Sequence, residues 1–301
     1  MHIEKLTPTF GSIVHSNYEQ AINDGDQLRE LLYDSKVLVI RGLGELNLDQ
    51  LWDLHARFGT PWSEADYSAS IRETLSKMSD HKVVPLFGNK AYNKLVVNAG
   101  LPWHRDIPWH RQIRYPIRSL YAHNDYKTPT EFSDASVLLD SHANLNEVEL
   151  LIQYWYSRQF DSAHRAGDFR TKYIPLVENH PHTGKPACLL NCFGLRGEQT
   201  PTYPMQTSYR GSWILGCRIN GRELPNDEYL SFMSSLKQEA IRTSHVYTHE
   251  WMKYDLLLFD NHSGVWHRRD VLHPDDTVRT FYRMNLRHYW QTEEQPPEQM
   301  K

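Results

Sequence analysis

The strongest constraint on this chain is its punctuation. Short apolar runs recur along it: Val37-Leu38-Val39-Ile40, Leu95-Val96-Val97, Ser119-Leu120-Tyr121-Ala122 and Leu256-Leu257-Leu258-Phe259. Each is closed within a few residues by Gly, Asn or Asp. A run of three or four apolar residues is too short for a stable helix and fits a short buried strand. Val246 to Trp251 and Thr280 to Tyr289 alternate, which predicts half-buried strands, and Ala187 to Cys192 and Ser212 to Ile219 read as further ones. Tyr173-Ile174-Pro175-Leu176-Val177 reads as an edge strand, because Pro cannot donate to a central ladder. Residues 1 to 16 alternate weakly and predict an opening strand. Many short strands separated by turns predict a mainly β fold with helical additions around a jelly-roll core, a double-stranded β-helix.

The helices are fewer. Tyr18 to Tyr33 carries its apolar residues at helical spacing, and Asn47 is placed to cap a helix that stops at Gly59. With the Val37 to Gly42 strand these form an N-terminal brace on the β core. Ala135 to Leu145 and Val148 to Phe160 read as helical, giving a helical insertion at about 135–165. Asn226 reads as the cap of a helix through Ile241, and Lys127 to Asp134 reads as a turn. Residues 60 to 93 read as a loop, in which Glu64 and Tyr67 are either substrate contacts or plain surface. No repeat or flexible linker divides the chain, so residues 1–301 are expected to form one domain.

Composition narrows the function classes. The 301 residues hold 33 Lys and Arg against 37 Asp and Glu, a net charge of −4. That balance argues against a general nucleic-acid binder. Cys188, Cys192 and Cys217 match no zinc-ribbon spacing and predict buried free thiols in a reducing compartment. Met1-His2-Ile3-Glu4-Lys5 opens without an apolar leader, and no run approaches the ~18 apolar residues of a membrane span. The expectation is a cytoplasmic protein without a membrane span, acting on a small-molecule substrate.

The chemistry gathers around Trp103-His104-Arg105-Asp106. Residues i and i+2 of a strand share a face, so His104 and Asp106 can reach one metal ion from a single strand end. Far downstream, Asp260-Asn261-His262-Ser263-Gly264 forms a turn that delivers Trp266-His267. Two imidazoles and a carboxylate on one face of an octahedral ion leave three positions open, the arrangement of non-haem Fe(II) oxygenases. The pattern His-x-Asp recurs at His123/Asp125 and His273/Asp275, as 17 His make unsurprising. The second repeat contains Pro274 and reads as a turn, whereas His123/Asp125 ends a strand and competes. Aromatic residues at Trp103 and Trp109 favour His104/Asp106. Arg279 follows His267 by twelve residues and Arg283 by four more, and an Arg fork binds a carboxylate with two charge-assisted hydrogen bonds. Arg105, Arg111, Arg114 and Arg118 form a basic cluster, either a solvated strand edge or a pocket for an anion.

Taken together, His-x-Asp, a distant Asp-Asn-x(5)-His and Arg-x-x-x-Arg resemble the taurine dioxygenase family of Fe(II)/2-oxoglutarate-dependent oxygenases. Val37 to Gly42 with Arg57-Phe58-Gly59, Thr130-Glu131-Phe132-Ser133-Asp134, and Pro175-Leu176-Val177 with His180 to Lys185 resemble further family landmarks. The resemblance selects His104/Asp106 over its competitor. It implies His104, Asp106 and His267 as iron ligands, and Arg279 with Thr130 on the distal carboxylate of 2-oxoglutarate. Arg283 would be a second pocket Arg that contacts substrate, with Trp109, Tyr67 and Arg114 as further substrate contacts. Trp103, Trp109 and Trp266 either keep the pocket dry or are ordinary core packing. O2 would be the oxidant, and a carboxylate at 106 implies hydroxylation or desaturation. The basic, aromatic rim points to a polar, carboxylate-bearing or amino-acid-derived metabolite.

Two other classes fit parts of the pattern. A zinc-binding β-sandwich hydrolase would use the same ligand types, and a non-catalytic anion- or sugar-binding jelly roll would use the Arg cluster. Arg279 separates them, since a zinc hydrolase has no use for a carboxylate fork there.

Overall fold

The computed structural model describes residues 2–61, 86–88, 100–105, 117–156, 168–190, 213–276 and 279–287. A large sheet forms the spine, with strands in the order β1 (His2–Lys5), β2 (Ser12–His15), β3 (Val37–Arg41), β16 (Leu256–Asp260), β7 (Ile117–Ala122), β18 (Thr280–Arg287) and β4 (Thr60–Pro61). Strand β5 (Leu86–Gly88) also pairs β18. Facing it is a four-stranded sheet, β15 (Val246–Trp251), β8 (Tyr126–Asp134), β17 (Val265–Arg269) and β6 (Leu101–His104). All pairings are antiparallel apart from β2 with β3. The two sheets enclose an inner core of Val39, Leu257, Phe259, Phe132, Val265, Trp251 and Phe281. This is the expected jelly roll.

Each sheet is covered on its outer face. Helices α1 (Tyr18–Asn23), α2 (Gly25–Ser35) and α3 (Leu48–Ala56) bury Leu28, Leu32, Leu51 and Leu54 against Leu38, Ile40, Leu256 and Met284 of the large sheet. Asn47 caps α3 in a reciprocal capping box with Gln50, as its position before the apolar run predicts. The expected single helix over 18–33 is instead two, because Asp24 ends α1 and starts α2. Phe58-Gly59 packs so tightly that a Cβ at Gly59 would meet the Arg287 carbonyl oxygen at 2.1 Å.

The outer face of the four-stranded sheet is covered by a second set of strands, β10 (Asp168–Pro175), β9 (Val148–Tyr156), β13 (Trp213–Ile219) and β14 (Arg222–Glu223). A short helix α4 (Leu138–Ser141), a hairpin of β11 (Val177–Asn179) and β12 (Pro186–Cys188), and helix α5 (Asn226–Ala240) complete the layer. Four sequence expectations are corrected. Residues 148–156 form a strand, not part of a helical insertion: Val148, Leu150 and Ile152 are buried at strand spacing between β10 and β13. A short apolar run fits either period, and its pairing partners decide. Lys127 to Asp134 is strand β8 rather than a turn; Pro129 is tolerated because the β15 ladder is broken by a bulge opposite it, between His249 and Trp251. Helix α5 begins one residue early, with Pro225 at the cap position and Asn226 in the first turn. Residues 1–16 hold two strands, not one, joined as a hairpin. No helix among the described residues is long and apolar enough to cross a membrane.

Candidate active site

Strand alternation sets the site. Trp103 and Trp266 point outward into the covering layer, so their neighbours His104 and His267 point inward. The two histidines are direct partners across the β6–β17 ladder, with ring centroids 4.2 Å apart and planes tilted by 51°. Phe259 and Phe132 approach the His267 ring at 4.8 and 6.1 Å and give the pair an apolar floor. Of the two readings of Trp103 and Trp266, core packing is the one that holds. They stabilise the outer core, and Trp266 Nε1 donates to the Leu190 carbonyl there.

The turn before His267 is built from several directions. Asp260 accepts the His262 amide at 2.9 Å, and its carbonyl accepts the Ser263 hydroxyl at 2.6 Å. His180 Nε2 lies 2.7 Å from the other Asp260 oxygen, and both side chains are buried. Gly264 has φ +87, and a Cβ there would meet the Cys188 carbonyl oxygen at 2.7 Å, so only glycine fits. Arg105 is 4% exposed, and its guanidinium donates to the Asn261 carbonyl at 2.6 Å. That bond ties the residue after His104 to the turn that carries His267. Neither His180 nor Arg105 is marked for this role by sequence pattern; the Asp260-Asn261 turn is the available clue.

Thr130 shares the inner face of β8 with Phe132, the ladder partner of His267, and brings a buried cation to that face. Arg279 is 5% exposed and makes no ion pair among the described residues. Burial, followed by the nearby Arg269 charge, pushes its pKa down to about 9, against the pull of Asp276. Its guanidinium donates to Thr130 Oγ1 at 3.4 Å, and its carbon lies 4.9 Å from the Phe281 ring centre. A buried guanidinium short of counter-charge is suited to an anion. Arg283 shares the inner face of β18 with Phe281, opposite Leu120, and Arg118 lies opposite Asn285 one strand over. Arg118 is 3% exposed. Of the basic cluster, Arg105 and Arg118 are thus interior groups and not a solvated edge.

The competing pairs are accounted for. His123 packs edge-on against Tyr282 at 4.3 Å, and Asp125 accepts the Lys253 amide at 2.7 Å. His273 and Asp275 occupy a turn, with the Asp275 amide on His273 Nδ1 at 3.1 Å. Cys188 and Cys217 are free and buried, and burial pushes their thiols up to about 12 and about 11. Asp106, Trp109, Arg111, Arg114, Tyr67, Glu64, Cys192 and the Leu95 to Val97 run lie outside the described residues. Among the described residues no three His, Cys, Asp or Glu side chains are grouped to hold a metal ion. Two inward imidazoles side by side could supply two of the three donors of a 2-His-1-carboxylate site, and a buried guanidinium could receive an anion.

The sequence profile of the family described as "Taurine catabolism dioxygenase TauD, TfdA family" matches residues 135–285, half of the chain. The chain belongs to this family and is a 2-oxoglutarate-dependent dioxygenase, whose reaction uses Fe(II), 2-oxoglutarate and O2. Membership sets aside the zinc-hydrolase and non-catalytic alternatives. Solved structures share the fold. AAD-2 in complex with Mn(II) and N-oxalylglycine matches with TM-score 0.61 and 16% identity, over 97% of this chain and 100% of that one. A taurine dioxygenase from Burkholderia xenovorans matches with TM-score 0.59 and 16% identity, over 95% and 90%. PvcB from Pseudomonas aeruginosa matches with TM-score 0.61 and 16% identity, over 94% and 90%. No curated protein sequence matches the chain significantly.

Proposed function

We propose that this single-domain enzyme hydroxylates or desaturates an unactivated C–H bond of a polar small molecule, carboxylate-bearing or amino-acid-derived. The observation that carries the reading is the inward His104–His267 pair together with the buried Arg279, which reaches the same inner face through Thr130. His104, His267 and Asp106 hold Fe(II), and Arg279 with Thr130 receives the distal carboxylate of 2-oxoglutarate. When bound, the iron couples decarboxylation of 2-oxoglutarate to oxidation of the substrate, so that substrate, 2-oxoglutarate and O2 give hydroxylated product, succinate and CO2. Imidazole nitrogens must be unprotonated to act as ligands, and the ladder sets their separation before any ion arrives. Phe259, Phe132 and Phe281 exclude water from the inner face, which strengthens the Arg279–carboxylate attraction. Arg283 meets the substrate, and Trp109, Tyr67 and Arg114 are assigned as further substrate contacts. Arg118 and Arg283, on adjacent strands of one inner face, support an anionic group on that substrate.

Incubation with Fe(II), ascorbate, O2 and 2-oxoglutarate tests the reading by succinate release. Candidate carboxylate-bearing metabolites are then screened for succinate coupled to a product that gains one oxygen or loses two hydrogens. Absence of succinate with every candidate, and of 2-oxoglutarate binding to the Fe(II) protein, overturns it.

A further inference from the structure

Thr130 Oγ1 receives two hydrogen bonds, from Trp251 Nε1 at 3.0 Å and from Arg279 Nη2 at 3.4 Å. Indole and guanidinium nitrogens only donate, whereas a hydroxyl oxygen has two acceptor lone pairs and one hydrogen to give. Both lone pairs are therefore taken, and the hydroxyl hydrogen has one task left. Thr130 is 6% exposed, and no acceptor for that hydrogen is present among the described residues. A buried polar hydrogen without an acceptor is rare in folded proteins. Beside Arg279, the acceptor that fits is a carboxylate.

We propose that Trp251 is a positioning residue for the keto-diacid. Its N–H holds one Thr130 lone pair and so turns the hydroxyl hydrogen toward the distal carboxylate that Arg279 receives. The inference rests on the Arg279–Thr130 reading given above.

The fold aims Trp251 deliberately. The bulge after His249 breaks the alternation of β15 and brings Trp251 opposite Tyr126, with its indole on Thr130; re-aiming a side chain is what such bulges do. The indole is then clamped: His249 stands edge-on at 4.4 Å and 89°, and Phe281 at 4.5 Å and 61°. His249 is itself fixed, with Nδ1 2.8 Å from the Tyr247 hydroxyl and Nε2 3.4 Å from the Asp255 carboxylate. Arg41 grips that carboxylate through two bonds of 2.8 and 2.7 Å. An indole held on both sides has one direction for its N–H.

The test compares two keto acids by calorimetry on Fe(II)-loaded protein kept free of oxygen. One is 2-oxoglutarate; the other is 2-oxovalerate, which has a methyl group in place of the distal carboxylate. Trp251→Phe keeps a ring and removes the N–H, so 2-oxoglutarate binding should weaken about fivefold, one hydrogen bond's worth, with 2-oxovalerate binding unchanged. In a Thr130→Val background the same change should have no further effect, and Thr130→Ser should keep the wild-type preference. Equal weakening toward both keto acids, or a full effect in the Thr130→Val background, would mean that Trp251 only packs, and overturns the proposal while leaving the Arg279 reading intact. Wild-type protein that binds both acids equally overturns both. Should Trp251→Phe not accumulate folded, the indole N–H signals of 15N-labelled wild-type and Thr130→Val protein answer instead. One signal must respond both to that substitution and to 2-oxoglutarate; if none does, the hydrogen bond is absent and the proposal fails.

Discussion

Trp266 and His267 are one peptide bond apart and sit in opposite environments. Trp266 is fully buried in the covering layer with Leu150, Ile152 and Met233. His267 faces inward, beside His104 and the phenyl rings of Phe259 and Phe132. Trp103 and His104 repeat the division across the ladder. The four-stranded sheet is thus a partition, with stability concentrated on its outer face and chemistry on its inner one. Four substitutions test how complete the division is.

Trp266→Ala should cost about 3–5 kcal/mol in urea unfolding, the usual range for emptying a large aromatic site. The folded fraction should keep wild-type affinity for 2-oxoglutarate; lost affinity in folded protein would breach the partition. His267→Ala should do the reverse. Succinate formation should fall by more than about a hundredfold, since disturbing even the groups behind a metal ligand costs 10–100-fold. The urea midpoint without metal should barely move.

Arg279→Ala removes a charged donor, and 2-oxoglutarate affinity should fall by roughly 10–100-fold, corresponding to about 1.5–3 kcal/mol for a charge-assisted bond. Binding of 2-oxovalerate should be spared. The smallest effect comes from the far side of the large sheet. There His55 is fully buried, with Nδ1 2.5 Å from the Leu51 carbonyl and Nε2 2.5 Å from the Ser119 hydroxyl. Burial pushes its pKa down from 6.5 to about 4, so the folded state favours neutral imidazole. Stability from this group is present above pH 6.5 and is lost as pH falls toward 4. Between pH 7 and pH 5 the loss should be about 2 kcal/mol by linkage. His55→Gln should flatten that part of the urea midpoint's pH dependence; an unchanged slope would assign it to other groups. His55 shows that a deeply buried histidine need not serve the chemistry.

Much of this arrangement was legible in the residues. The jelly roll followed from runs such as Leu256 to Phe259, which are too short for helices and too apolar for loops. His104 and His267 were legible because each ends or occupies a strand whose alternation separates a tryptophan from a histidine. Sequence cannot say which side of the strand is the pocket, so it leaves Trp103 and Trp266 open between pocket wall and core until the covering layer is seen. In sequence, Val148 to Tyr156 is a short apolar run that fits either period, and the pairing with β10 and β13 decides for a strand. Strand β8 was hidden by Thr128-Pro129, a turn-like pair that a bulge in a neighbour 120 residues away makes acceptable. Trp251 was legible as a strand residue only, because its role depends on that same bulge.

Strand β6 has four residues and, among those described, one neighbour. Such a margin is the easiest part of a sheet to peel back. His104 is its last residue and faces His267 directly. Any ion shared by the two rings becomes a rivet at that margin. Its grip on the metal and the margin's resistance to fraying are then a single quantity, tied together by mass action.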